Sequence, residues 1–393
     1  MCPSFMATRN EKDTTRARAN ILREFLTHSD KVNRFDHKEI YEVMDLCLSC
    51  KGCKSECPSN VDVAKLKAEF MQQYYDANGV PFRSWLIANY SKSSKLGAIV
   101  PSLYNFFVKN KATGNLIKKL SGFAIARSMP TLYSTTLRSW YKKHKSATPK
   151  SAKTVYLFCD EFTHFNDTEI GIKAILLLEK LGYEVIIPEH GESGRTYLSK
   201  GLIRDAQKII NKNISLLSPL INETTPLIGI EPSAILTFRD EYIDLASDEN
   251  FEAAKKLSKN VFLIDEFLAN EIEKGHISRE LFTKEKKNIQ LHGHCQQKAL
   301  SSVNPSIMIL SLPENYTVTT IPSGCCGMAG SFGYEKEHYD LSMKIAELVL
   351  LPAVRKAEHD IIAAPGTSCR HQVKDGTGRI AKHPIEVLYE ALL

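Results

Sequence analysis

The chain has 393 residues, 43% hydrophobic and 24% charged, enough to bury sizeable cores in two or three domains, which excludes a largely disordered polypeptide. Its apolar stretches run for about a dozen residues before a Pro or a polar residue interrupts them, short of the ~20 that a spanning helix needs. The opening MCPSFMATRNEKDTTR lacks an apolar signal core, so the expectation is a cytoplasmic protein.

Residues 1–75 read as a helical domain. RARANILREFLTH, HKEIYEVMDLCLSC and VDVAKLKAEFMQQYYDA place apolar residues three and four apart. Asn60 or a residue beside it is the expected cap of the last of these. Residues 76–150 form a basic segment with aromatic pieces such as SLYNFFVKN and TLYSTTLRSWYKKHK, read as short amphipathic helices and loops. Residues 77–159 hold 14 Lys or Arg and no Asp or Glu, although the net charge of the whole chain is only +6. A block of one sign marks a docking surface for something of opposite sign. With Trp85, Phe106, Phe107 and Trp140 among the lysines, that partner is an acidic protein surface or an anionic membrane face, the alternative being a solvated linker with no partner. No recognition motif accompanies the charge, so nucleic acid is not expected.

From residue 152 strands and helices alternate. KTVYLFCD, YEVIIPE and TPLIGIEP read as strands, with helices over TEIGIKAILLLEKLG and KGLIRDAQKIINKNISLLSPLI. KNIQLHGH, YTVTTIPS and DIIAAPG repeat the pattern, and such alternation predicts mostly parallel sheets. Two pairs of segments resemble each other at an offset of about 133–135 residues. IIPEHGESGRTYLSKGLIRDA matches TIPSGCCGMAGSFGYEKEHYD, and LIGIEPSAILTFRDEY matches IIAAPGTSCRHQVKDG. The expected architecture is therefore a helical domain (1–75), a basic linker (76–150) and two similar α/β lobes (151–275 and 285–393).

Ten cysteines in a cytoplasmic chain point to metal ligation or catalysis rather than disulfides. Five lie in the first 57 residues, four between 295 and 369, and Cys159 stands alone. Cys47-x2-Cys50-x2-Cys53-x3-Cys57-Pro58 has the spacing of a [4Fe–4S] site, in which three thiolates converge from one loop and the Pro-flanked fourth serves another cluster. Zinc also accepts four thiolates, but its knuckles are usually paired and far apart. By the same crossing rule, Cys47, Cys50 and Cys53 need a distant Cys-Pro, and Cys2-Pro3 supplies one. Cys57 is then left facing a second cluster whose three other cysteines are expected upstream of Cys2. The bland alternative for Cys2 is a frayed end with no ligand role.

Cys295, the pair Cys325–Cys326, and Cys369 each follow a predicted strand, and strand ends in an open α/β sheet converge on one crevice. Gly324 and Gly327 flank the pair and permit a tight backbone. This set reads as a second metal centre, iron–sulfur or zinc, with a structural or redox dithiol as the alternative. His292, His294, His338 and His371 lie nearby, but a lone His is more often a packing residue. Subtracting the repeat offset leads to Glu161, Glu192, Ser193 and Ala234, so the first lobe reads as having lost its ligands. Cys159 reads as a small buried hydrophobe.

HGHCQQKAL, SGCCGMAGSFGYEKEHYD and GTSCRHQVKDGTGR resemble the cysteine-rich CCG domain of heterodisulfide reductase, of the C subunit of anaerobic glycerol-3-phosphate dehydrogenase and of lactate-oxidation iron–sulfur proteins. Together with MCPSFMATRNEKDTTRARAN and CLSCKGCKSECPSNVDVAKLKAEF, the chain is similar to the C-terminal half of FAD-linked D-2-hydroxyacid dehydrogenases, which oxidise D-lactate or D-2-hydroxyglutarate. Two departures stand out. Gly366 occupies the first position of the usual closing C-x2-C, and the first CCG unit lacks its ligands. The resemblance implies a ferredoxin-type helical domain followed by a tandem CCG repeat. It also implies an electron-transfer role beside a partner flavoprotein that carries the FAD and the hydroxyacid site, with quinone or another acceptor beyond, at the inner face of the membrane. The rival implication is a thiol/disulfide oxidoreductase acting through the CCG centre.

Overall fold

Pro3 opens α1 (Pro3–Thr8) at its first position, where the fixed proline φ suits a helix start, so helical structure begins directly after Cys2. The computed structural model describes residues 2–146 and 153–393; the domain boundary expected at 150/151 lies outside the described residues. Four more helices follow: α2 (Thr15–His28), α3 (Lys38–Asp45), α4 (Gly52–Glu56) and α5 (Val63–Asn78). Thr14 caps α2, and Asp62 caps α5 by accepting from the Ala64 and Lys65 N–H groups. The cap expected at or beside Asn60 is thus Asp62, whose charge also suits the positive end of the helix dipole. Phe70, Met71 and Tyr75 of α5 share a core with Leu198, Leu202 and Tyr242. Gly201 permits this close approach, because its φ is +72° and a Cβ there would stand 2.2 Å from Met71 Cβ.

The basic segment forms short helices, as its pattern suggested: α6 (Phe82–Ala88), α7 (Tyr90–Gly97), α8 (Pro101–Lys109), α9 (Lys111–Leu120) and α10 (Leu137–Lys143). No residue of α8 is buried, although Leu103, Phe106 and Phe107 are large and apolar. Of the 23 exposed large hydrophobic side chains among the described residues, 13 lie between Val80 and Ile125. Scattered exposed apolar residues are ordinary on a protein surface, but such a concentration marks an unpartnered face. Lys95, Lys109, Lys111 and Lys119 are exposed on the same helices. Other cations of the segment are internal ties. The guanidinium of Arg127 donates to Gly333 O at 2.7 Å and Ser342 Oγ at 2.8 Å, and Lys118 donates to Arg127 O at 3.1 Å.

Two small parallel sheets follow. The first has the order β2-β1-β3-β4, built from β1 (Lys153–Phe158), β2 (Tyr183–Ile186), β3 (Leu227–Gly229) and β4 (Val261–Leu263). The second has the order β6-β5-β7, from β5 (Lys287–Leu291), β6 (Tyr316–Thr320) and β7 (Ile361–Ala363). In both, the first strand in sequence lies between the second and the third. Leu157 and Ile228 of the first sheet and Ile289 and Leu291 of the second belong to one continuous core, which Ile385 also enters. Among the described residues no helix is long and apolar enough to cross a membrane.

Candidate metal centres

Two groups of free thiols face each other across the contact between α4 and the helix Cys295–Leu300. The first group depends on the loop between α3 and α4. Ser49 and Lys51 both take left-handed backbone, with φ of 52° and 60°, and this winding turns the Cys47, Cys50 and Cys53 side chains into one cavity. Cys2 lines the same cavity, so the four cysteines of the crossing assignment meet. Cys57 does not line it. It sits in the exposed turn after α4, where the N–H groups of Val61, Ser59 and Asn60 point at its sulfur and lower its pKa.

The amino end is tied down rather than frayed. Pro3 and Ser4 are buried, and Ser4 Oγ donates to Leu46 O at 2.7 Å. Arg18, 1% exposed, donates to Cys2 Sγ at 3.0 Å, to Asp13 O at 2.8 Å and to Val43 O at 3.2 Å. Burial works against ionisation of Cys2, but the Arg18 charge, with Ser4 and the Phe5 N–H, outweighs it and lowers the thiol pKa. Cys50 moves the other way, raised by burial and by the neighbouring Cys295, Cys47 and Cys2 sulfurs. Burial likewise raises Cys53. Four thiolates in a dry cavity repel one another unless a cation sits among them, so this donor set fits an iron–sulfur group. Lys67 holds the loop from behind, donating to Cys47 O at 2.7 Å.

The same loop is locked to the segment that follows β3. Lys51, also 1% exposed, meets Asp240 at 2.6 Å, Asp62 at 2.9 Å and Glu241 at 3.0 Å. Burial alone would depress its pKa, but the three carboxylates raise it. After β6, His338 bonds Asp45, the last residue of α3, at 2.8 Å and stacks on Phe332.

The second group gathers where β5, β6 and β7 end. Cys295 opens the helix after β5, Cys325 and Cys326 sit in the loop after β6, and Cys369 lies in the helix Thr367–Thr377 after β7. The four free thiols neighbour one another in the order Cys295, Cys325, Cys326 and Cys369, and the Cys325 and Cys369 thiols push the pKa of Cys326 well below the ordinary thiol range. Gly327 is required in this turn. Its φ is +87°, and a Cβ there would meet Ser342 O at 2.4 Å. Gly324 has open space around it and no such constraint. Gly366 has a steric explanation: a Cβ at this position would lie 2.4 Å from His294 Cδ2 and 3.4 Å from Cys369 Sγ. The His294 ring therefore fills the space a cysteine side chain would need.

Sequence reasoning named His292 but set it aside as a packing residue. It is fully buried, and a nitrogen of its ring lies with Cys326 Sγ and Cys369 Sγ, all within 4.8 Å of one another. Only its place at a strand end, three residues before Cys295, hinted at this. The other histidines have partners of their own. His294 Nδ1 accepts from the Gln296 N–H, His338 bonds Asp45, and His371 Nδ1 bonds the Tyr334 hydroxyl at 2.5 Å.

Of the positions reached by the repeat offset, Glu161 and Ser193 come together, without thiols. Ser193 donates from Oγ to one Glu161 oxygen at 2.7 Å and from its N–H to the other at 2.9 Å. Burial raises the pKa of Glu161 and takes Glu192 to about 7. Ala234 is buried. Cys159 is buried in the shared core with its sulfur 3.5 Å from His164 Nδ1.

The two thiol groups share one apolar cluster, in which Cys50 and Cys295 pack with Leu48, Ala329 and Cys325. Gln296 Nε2 donates to Ser49 O at 3.3 Å across the same contact. Beside them opens a mostly apolar cavity of about 180 Å³, lined by Leu48, Tyr90, Phe123, Phe162, Tyr334 and Cys295 among others.

Residues 1–62 match the family model of a 4Fe-4S dicluster domain. D-2-hydroxyglutarate dehydrogenase of Escherichia coli (strain K12) is 26% identical over all of this chain and 42% of its own length. The chain thus spans about two-fifths of the relatives of that name. The C subunit of the anaerobic glycerol-3-phosphate dehydrogenase of Escherichia coli (strain K12) is 22% identical over 85% of this chain and 83% of its own length. Lactate utilization protein A of Bacillus subtilis (strain 168) is 28% identical over 45% of this chain and 74% of its own length. With four cysteines converging where the family model matches, the chain carries a 4Fe-4S dicluster domain at its N-terminus and is homologous to the C-terminal part of D-2-hydroxyglutarate dehydrogenase.

Proposed function

We propose that this chain is the iron–sulfur electron-transfer part of a flavin-linked D-2-hydroxyacid dehydrogenase, with the FAD and the hydroxyacid site on a flavoprotein outside the chain. The observation that carries the reading is that Cys50 and Cys295 pack on one apolar cluster, close enough for the Cys295 charge to act on Cys50, which makes neighbours of two thiol-rich sites. In this reading Cys2, Cys47, Cys50 and Cys53 hold a [4Fe–4S] cluster. Cys295, Cys325, Cys326 and Cys369 hold the second centre, in the second of two CCG-type lobes. Groups bound at these sites supply one-electron carriage between flavin and acceptor. The protein's own part is electrostatic and steric. Arg18 offsets the charge of the first thiolate set, Lys67 fixes its loop, and Leu48 and Ala329 keep water from the contact.

The acceptor side favours a lipid-borne quinone at an anionic membrane. Apolar residues and lysines are exposed together on α6 to α9, with no carboxylate in that segment to repel acidic headgroups. Tyr90 of α7 and the nearby Phe123 also line the cavity that reaches Cys295. A second reading, a thiol/disulfide oxidoreductase, rests on Cys295 itself, whose thiol stands in the wall of that cavity and is lowered to about 6 by the neighbouring Cys325 thiol. One experiment separates the two. The holoprotein, reduced anaerobically, is mixed with anionic liposomes containing a lipophilic quinone. The proposal expects rapid return of the oxidised visible spectrum, slowed about tenfold or more in neutral liposomes as each surface lysine loses its attraction. Reoxidation by an added disulfide but not by quinone would favour the second reading.

A further inference from the structure

His292 follows β5 directly and has no solvent exposure. Its Nδ1 lies 2.6 Å from Ser323 Oγ, and the Ser323 hydroxyl is directed at Ile321 O, 3.5 Å away. The Ser323 contact occupies Nδ1 and leaves Nε2 as the ring nitrogen that faces away from it. Among the described residues that Nε2 meets no donor or acceptor at hydrogen-bond geometry, while the Cys326 sulfur interacts with the ring. A packing histidine in a dry interior would pair both nitrogens. Instead a ring nitrogen shares its space with two sulfurs, Cys326 Sγ and Cys369 Sγ, one ligand atom of each residue lying within 4.8 Å of the others. Nitrogen and sulfur ligands bound to one metal at about 2.0–2.3 Å are held within roughly 4.6 Å of each other, so the three atoms already have nearly the spacing of a shared ion.

We propose that His292 Nε2 is a ligand of the C-terminal centre, giving it a mixed imidazole–thiolate shell in which His292 joins Cys326 and Cys369 at one metal atom, with Cys295 and Cys325 completing the set. This rests on the reading of the cysteine set as a metal centre. Ser323 is the positioning residue, since its oxygen holds Nδ1 and with it the ring plane, as outer-shell partners of metal-bound histidines do. A neutral imidazole at this place, where a further cysteine would add negative charge, keeps the reduction potential of the centre above that of a shell with a fifth thiolate.

The test is pulsed EPR for ¹⁴N hyperfine coupling on the anaerobic holoprotein, with X-ray absorption for a nitrogen shell should the centre be diamagnetic. The expected result is a strong nitrogen coupling that His292→Cys abolishes and His294→Gln retains, with a lower midpoint potential in His292→Cys. Ser323→Ala should weaken metal retention at this centre about tenfold or more. The unchanged signal of the N-terminal cluster shows in each variant that the protein has folded. Metal present in the C-terminal set without nitrogen coupling would overturn the ligand assignment alone. Metal content unaffected by a Cys326→Ser/Cys369→Ser double substitution would overturn the metal-centre reading, and the ligand with it.

Discussion

Substituting Cys2→Ser is expected to destroy or convert the N-terminal cluster while leaving the C-terminal centre intact. The sulfur of Cys2 shares its cavity with those of Cys47, Cys50 and Cys53, whereas Cys57, nearer in sequence, stands outside it. A serine hydroxyl is a far weaker ligand for iron than a thiolate, and Arg18 would lose the negative partner 3.0 Å from its guanidinium. Fold and docking should survive, because α1 is held by the Ser4–Leu46 bond and by packing on the helix Tyr339–Glu347. Cys57→Ser serves as the control and should keep the iron of the Cys2 group. Iron content and EPR spectrum decide the matter. A Cys2→Ser protein indistinguishable from wild type would refute the crossing assignment.

Lys51→Met is the substitution with the largest expected cost in stability, about 3–5 kcal/mol, the usual penalty for leaving buried charge unpaired. Lys51 is enclosed by Asp62, Asp240 and Glu241. Lys54 and Lys65 also reach Asp240 and Arg195 reaches Glu241, which softens the loss without removing it. The pH dependence follows from Asp240. Burial works against its charge, but Lys51, Lys54 and Lys65 together depress its pKa below the usual carboxylate value. A depressed carboxylate stabilises the fold above its unfolded pKa of ~3.9, and that contribution disappears as the pH falls through the folded value. In Lys51→Met the folded value rises, so the contribution should be lost at higher pH than in wild type. The midpoint of guanidinium-induced loss of cluster absorbance, measured at several pH values, reports both effects. An unchanged midpoint at neutral pH would contradict the role given to Lys51.

Features fixed by local spacing were legible in the sequence. The two-residue gaps of Cys47, Cys50 and Cys53 and the strand-end placement of Cys295, Cys325, Cys326 and Cys369 each follow from chain geometry over a few residues. Properties that arise only when distant segments meet were not. His292 is distinguished by an Nε2 with no partner at hydrogen-bond geometry among the described residues, and partners are a tertiary matter. The nearness of Cys50 to Cys295 joins residues some 245 apart. Strand β4 was missed because a three-residue apolar run has no period to read. The basic segment was recognised by charge, yet sequence could not separate its internal cations, Lys118 and Arg127, from its exposed ones. Nor could it show that α8 buries nothing.

The most direct measurement is the iron and acid-labile sulfide content of protein purified without exposure to oxygen. The predicted result is a brown protein with about four iron atoms and as many sulfides in the Cys2, Cys47, Cys50 and Cys53 site alone. Colourless protein that lacks iron and sulfide, or holds only zinc, would contradict it.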